Sequence, residues 1–229
     1  NSALQLSDGE NFLAMVSIHF ILPNAVNIGP RQPSPSYWER LKNLGICVLA
    51  LWGIELIDRF LFGHSLQSHG IRPRSFSQLG GILSAPFLHT TWSHLSGNSA
   101  SLMILGALVL ASGWRNLASV SISSALFGGV TVWLIGRSGT NHIGASSVVF
   151  GYLAFLLASG FYRPSPATIL VSLAILLFYG GSLWGIFPTD SARNAGISWE
   201  GHLGGAVGGF LTARDRRRNF ASHSKRMIR

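Results

Sequence analysis

Four polar side chains in this chain have the types and spacing of an acyl-transfer site. They are His94 and Asn98 in His94-Leu95-Ser96-Gly97-Asn98, Ser146 in Gly144-Ala145-Ser146-Ser147, and His202 at the head of a glycine-rich stretch. A serine hydroxyl is a weak nucleophile until a neighbouring base takes its proton. A neutral imidazole does this near physiological pH. His94 and Asn98 lie four apart, on one face of a helix, and offer side-chain N–H groups to a developing oxyanion beside the Ser146 backbone N–H. Each residue also has a plainer use. Ser146 suits a helix N-cap, and Ser147 competes with it for either role. His94 and Asn98 are costly to bury unpartnered and would equally satisfy each other or a loop. His89, five residues before His94, reads as structural.

These residues are spread over more than 100 positions, so larger elements must bring them together. Of the 229 residues 48% are hydrophobic and only 11% charged, with a mean hydropathy of +0.37. Soluble domains carry about 25% charged residues. The balance reads as an integral membrane protein built from helices. Six spans are expected, at residues 42–61, 94–111, 117–135, 145–161, 167–187 and 201–213, set against the roughly 20 residues that cross a bilayer; the second and sixth are marginal, with polar residues at one end and many small ones. Residues 1–41 then form an N-terminal cytoplasmic segment, 42–213 the membrane domain, and 214–229 a basic cytoplasmic tail.

The net charge of +9 would fit a nucleic-acid partner in a soluble protein. Here the bases sit in connectors and in the tail, where they set topology and meet lipid headgroups. One side of the membrane receives Arg59, Arg72, Arg74, Arg137 and Arg193; the other receives the remaining 12 of the 17 Lys and Arg residues. Both termini are therefore expected in the cytoplasm. The starts of spans two, four and six then point outward, which sets His94, Ser146 and His202 at one depth. Cys47 is alone, so no disulfide forms within the chain. The connector at 62–88 is broken by Gly63, Gly70, Pro73, Gly80, Gly81 and Pro86, yet is rich in apolar residues. It is expected to pack on the helices or enter the outer leaflet. Glu55 and Arg59, four apart in span one, are expected to pair near its outer end.

Gly201, Gly205 and Gly209 repeat every four residues, and Gly204 and Gly208 form a second such row. Small residues at this spacing let helices approach closely. Span four offers Gly144, Ser147 or Val148, and Gly151 as a matching face. Packing of spans four and six would put His202 within reach of Ser146. Phe150, one turn beyond Ser146, is placed to pack on the imidazole. Asp190 and Glu200 are the nearest carboxylates by depth, but neither fits as a third member, so a Ser–His dyad is expected rather than a triad. Other hydrolytic chemistries find no support. HExxH is absent, Asp58 is the one Asp near a span, and the only lysines are Lys42 and Lys225. No carboxylate or cysteine joins His89, His94 and His202 into a metal site, and no cofactor is called for. No inverted repeat of a transporter is visible.

Taken together, Pro86-Phe87-Leu88-His89, His94-Leu95 with Asn98, Gly144-Ala145-Ser146, and His202 with Gly205 and Gly209 resemble the rhomboid family of intramembrane serine proteases. The resemblance covers roughly residues 40–213. It implies a six-transmembrane-helix bundle with a long membrane-associated loop between helices one and two. It further implies Ser146 as nucleophile, His202 as general base, and His94 and Asn98 as oxyanion donors. Transmembrane segments of membrane proteins become the implied substrates. Span five with the connector at 188–199 becomes the implied gate. Two positions depart from the family pattern: Ser147 stands where many members have Gly, and Phe150 where many have Tyr. The alternative within the same resemblance is an inactive relative that binds transmembrane segments without cutting them.

Overall fold

The computed structural model describes residues 36–189 and 196–227, with side chains up to Arg216. The segment before residue 36 and Asp190 lie outside the described residues. Six long helices carry the architecture: α1 (Tyr37–Leu61), α2 (Trp92–Leu110), α3 (Trp114–Ile135), α4 (Ser146–Tyr162), α5 (Pro166–Tyr179) and α6 (Trp199–Met227). A 3-10 stretch, Gly180–Ile186, prolongs α5. The described residues hold no strand, only an isolated bridge between Ile71 and His142. By length and composition three segments suffice to cross a membrane: Trp92–Leu110, Trp114–Ile135 and Pro166–Ile186.

Local chemistry sets the helix starts. Ser36 and Glu39 form a reciprocal capping box that begins α1 five residues earlier than expected. Thr91 caps α2 through the His94 N–H. Ser165 and Thr168 cap α5, with Pro166 at its first position. At the other end of the chain, α6 does not stop at Ala213 but continues as helix through the basic stretch.

The apolar pattern explains the layout. α4 buries Val148, Val149, Phe150, Tyr152, Leu153, Phe155 and Leu156, residues from all round its circumference. Such a helix must lie inside a bundle. It packs against α2, α3, α5 and α6, while α1 packs on α2. α1 buries one stripe, Leu44, Val48, Leu51, Glu55 and Asp58, at alternating spacings of three and four. The expected ion pair is present at the end of that stripe, with Arg59 2.9 Å from Glu55. The Arg59 guanidinium also stands over the Trp92 ring at 4.6 Å.

α6 is drawn against its neighbours by both glycine rows. A Cβ on Gly205 or Gly209 would lie 2.0 Å from the carbonyl oxygen of Ser147 or Gly151, so this row faces α4 as anticipated. The second row has a different partner. A Cβ on Gly204 would lie 2.5 Å from the Phe127 carbonyl, and one on Gly208 2.7 Å from that of Ser123, both on α3. Two rows 100° apart thus seat one helix in a groove between two others. Gly201 shares the spacing of the α4-facing row, but a Cβ there would meet Ser198 and Val132.

The connector between α1 and α2 is a chain of short turns, as its glycines and prolines require: Ser65–His69, Phe76–Gln78, Gly81–Ser84 and Ala85–Phe87. It is fastened to α3 and to the segment after it. Ile82 fills the space above Gly129, and the Trp133 indole donates to the Ser75 carbonyl at 3.1 Å. Arg74 donates to the carbonyls of Leu134 and Gly136 at the α3 C-terminus, at 3.1 and 2.8 Å. Phe76, Leu83 and Phe87 are left exposed on its outer surface.

Candidate active site

α4 begins without a side-chain cap, because its N-cap position is Ala145. The Ser146 hydroxyl is therefore free of that duty. It lies 2.9 Å from Nε2 of His202, across the α4–α6 contact that Gly205 and Gly209 create. The other imidazole nitrogen, Nδ1, is 3.0 Å from the Gly185 carbonyl. A carbonyl oxygen only accepts, so Nδ1 carries the hydrogen and Nε2 is left to accept the serine proton. Phe150 stacks on the His202 ring at 4.0 Å between centroids and 11° between planes. The imidazole is thus fixed at both nitrogens and on one face. Ser147, the other candidate, points elsewhere: its backbone abuts Gly205 and its Cβ lies against Gly128 of α3.

The remaining members of the expected site converge on the same place. Gly144 has φ +119, a region that side chains disfavour, and a Cβ there would lie 2.6 Å from His94 Nε2. Its bare Cα admits the His94 ring beside the start of α4. The Gly144 N–H donates to the Ala85 carbonyl at 2.8 Å, which brings the end of the connector to the site. Asn98 is buried and donates through Nδ2 to Nε2 of His89 at 3.1 Å. An amide nitrogen has two hydrogens, so one remains for the site. Of the two plainer readings of Asn98, the bond to the loop is the one realised.

His89 is fully buried. Burial, and next the neighbouring His94, hold its pKa down to about 4, against a small opposing pull from the Phe87 backbone. It is accordingly neutral at physiological pH and able to accept from Asn98. His94, Asn98, Ser146, Phe150 and His202 all line one cavity of about 1220 Å³. Glu200 lines it too, but the described groups at His202 are Ser146, Gly185 and Phe150, so among the described residues no carboxylate completes a triad there.

The sequence held no sign of the Gly185 carbonyl, because any residue supplies one. The His89–Asn98 bond is closer to legible: both are polar side chains in a largely apolar chain, and each needs a partner once buried. His142 carries a weak sequence signal of its own, an Asn-His pair just ahead of Gly144-Ala145-Ser146 in an apolar region.

Fold and site together describe a multi-pass helical membrane protein with a part-buried serine–histidine contact. The Rhomboid domain matches residues 77–217, and the chain belongs to the rhomboid family. It is similar to Uncharacterized protein Rv1337 of Mycobacterium tuberculosis, 40% identical over 171 residues, covering 72% of this chain and 70% of that protein. Uncharacterized protein Mb1372 of Mycobacterium bovis matches over the same lengths at the same identity. Uncharacterized protein ML1171 of Mycobacterium leprae is 41% identical over 168 residues, covering 71% of this chain and 66% of that one.

Proposed function

We propose that this protein is an intramembrane serine endopeptidase. It would cut transmembrane or juxtamembrane segments of membrane proteins near the outer face of a bacterial plasma membrane. The observation that carries this reading is His202 held between the Gly185 carbonyl and the Ser146 hydroxyl. In the proposed reaction Nε2 of His202 takes the hydroxyl proton as Ser146 Oγ attacks the substrate carbonyl carbon. The charge that develops on the carbonyl oxygen is met by His94, Asn98 and the Ser146 backbone N–H at the start of α4. The imidazolium gives its proton to the leaving amine as the C–N bond breaks, leaving an acyl-serine. His202 then deprotonates a water that hydrolyses this ester, and Ser146 recovers its proton. No metal or cofactor enters the scheme.

The wider reading has all six long helices crossing the bilayer, with both termini cytoplasmic and the cavity facing the opposite side. A substrate helix must unwind to expose a peptide bond to Ser146. Segments weakened by Gly or Pro suit that requirement, and these, with a small residue before the cut, are the substrates that the family resemblance implies. α5 and its 3-10 extension form the proposed gate, since that segment is the least buried of the long apolar ones.

The test is cleavage of a panel of single-span substrates in liposomes by wild type and Ser146→Ala. The proposal expects products from wild type alone. Equal yields from both would instead identify a relative that binds transmembrane segments without cutting them.

A further inference from the structure

A further histidine, His142, stands beside the pair on the loop before α4. His142 precedes Ser146 by four residues, and Ser198 precedes His202 by four. The side chains of these two upstream residues meet: His142 Nδ1 is 2.7 Å from Ser198 Oγ. His142 Nε2 is 2.7 Å from Thr140 Oγ1. Its backbone forms both hydrogen bonds of the bridge to Ile71, at 2.9 and 3.0 Å. Ser198 in turn accepts the His202 N–H on its carbonyl at 3.1 Å, as the residue that opens α6. One imidazole thus joins the connector, the α3–α4 loop and the head of α6. The glycine contacts fix how closely α4 and α6 approach, but contacts between bare backbones leave sliding along the helix axes weakly opposed. A directional bond one turn upstream of both residues opposes it.

We infer that His142 is a positioning residue, whose bond to Ser198 sets the register of α6 on α4 and so the Ser146–His202 distance. The inference rests on the proteolytic reading of the same site. Burial holds the His142 ring below its ordinary pKa; Arg137 adds to this and Glu200 opposes it. A neutral ring has one donor and one acceptor, and a hydroxyl on either side satisfies both. Displacing an attacking atom by 1 Å costs roughly a hundredfold in rate. A single lost bond that lets α6 relax by a fraction of that is expected to cost about tenfold.

The experiment measures kcat and KM per fluorophosphonate-reactive molecule, so that misfolded protein drops out, for four variants. His142→Leu and Ser198→Ala are each expected to lower kcat about tenfold, with KM within twofold of wild type. The double variant is expected to lose no more than either single one, because both remove one bond. His142→Asn places an amide where Nδ1 stood and is expected to recover most of the rate. The inference is overturned if wild type cleaves and both single variants cleave equally well. It is overturned too if the two losses multiply, or if Asn does no better than Leu. Failure of the proteolytic reading looks different: wild type and Ser146→Ala would then be alike.

Discussion

The assignment of Ser146 over Ser147 comes down to which neighbour each side chain meets. Ser146 finds an imidazole, while Ser147 finds the bare backbones of Gly128 and Gly205. That glycine pair also explains why serine is tolerated at a position where the family pattern has glycine: Gly128 yields the volume that the extra atoms need. Ser147→Gly is accordingly expected to leave the rate within about threefold of wild type, whereas Ser146→Gly abolishes turnover. Parallel cleavage assays on the two variants check this. Phe150 holds the imidazole by its ring face. Phe150→Tyr keeps that face and is expected to stay within about threefold. Phe150→Ala leaves a cavity worth roughly 3–5 kcal/mol and frees the imidazole to rotate, so kcat should fall at least tenfold. Thermal unfolding and steady-state kinetics on the same samples separate the two effects.

Helix pairing turns these side chains into a site. Gly205→Val would drive a side chain into the Ser147 carbonyl and push α6 off α4. Overpacking costs roughly 1–3 kcal/mol and more against unyielding backbone, so loss of both folding and serine labelling is expected. Gly53 of α1 is the control, because a Cβ there meets nothing within 4 Å. Gly53→Ala should hold or raise the unfolding temperature in the same measurement. The loop-to-helix contact of His89 with Asn98 carries a pH signature. His89 is held to about 4 in the fold and titrates near 6.5 once unfolded. Between these values the unfolded chain binds the extra proton, so stability is lost as pH falls from about 6.5 towards 4. His89→Gln keeps an acceptor for Asn98 and removes the titration. Its unfolding free energy should depend less on pH across that window, by up to about 1.4 kcal/mol per unit. Equal slopes in the two proteins would exclude His89 as the cause.

Over the whole molecule, the sequence was most legible where physics leaves few choices. An apolar run of span length has to be a helix in a bilayer, and glycines every four residues favour close approach of another helix. Helix identity, the α4–α6 contact and the Phe150–His202 stack could therefore be read from residue types and spacing. The second glycine row was visible as a pattern, but its partner was not, since nothing in Gly204 or Gly208 distinguishes α3 from α4. The Gly185 carbonyl and the His142–Ser198 bond depend on loops whose paths no periodicity encodes. Orientation rests on the uneven placement of Lys and Arg. With Cys47 replaced by serine, a cysteine at Ser77 in the connector and one at Arg115 in the first turn of α3 should react with a membrane-impermeant maleimide from opposite sides. Labelling of both from one side would refute the proposed topology.

The central claim is that Ser146 and His202 act as a nucleophile and its base. The most direct measurement is mass-spectrometric mapping of a fluorophosphonate adduct on the folded protein in lipid, with its rate of formation in wild type and in His202→Asn. A single adduct on Ser146, formed at least a hundredfold more slowly in the variant, is the predicted result. A folded wild type that takes no adduct on Ser146, or takes it as fast without His202, would contradict it.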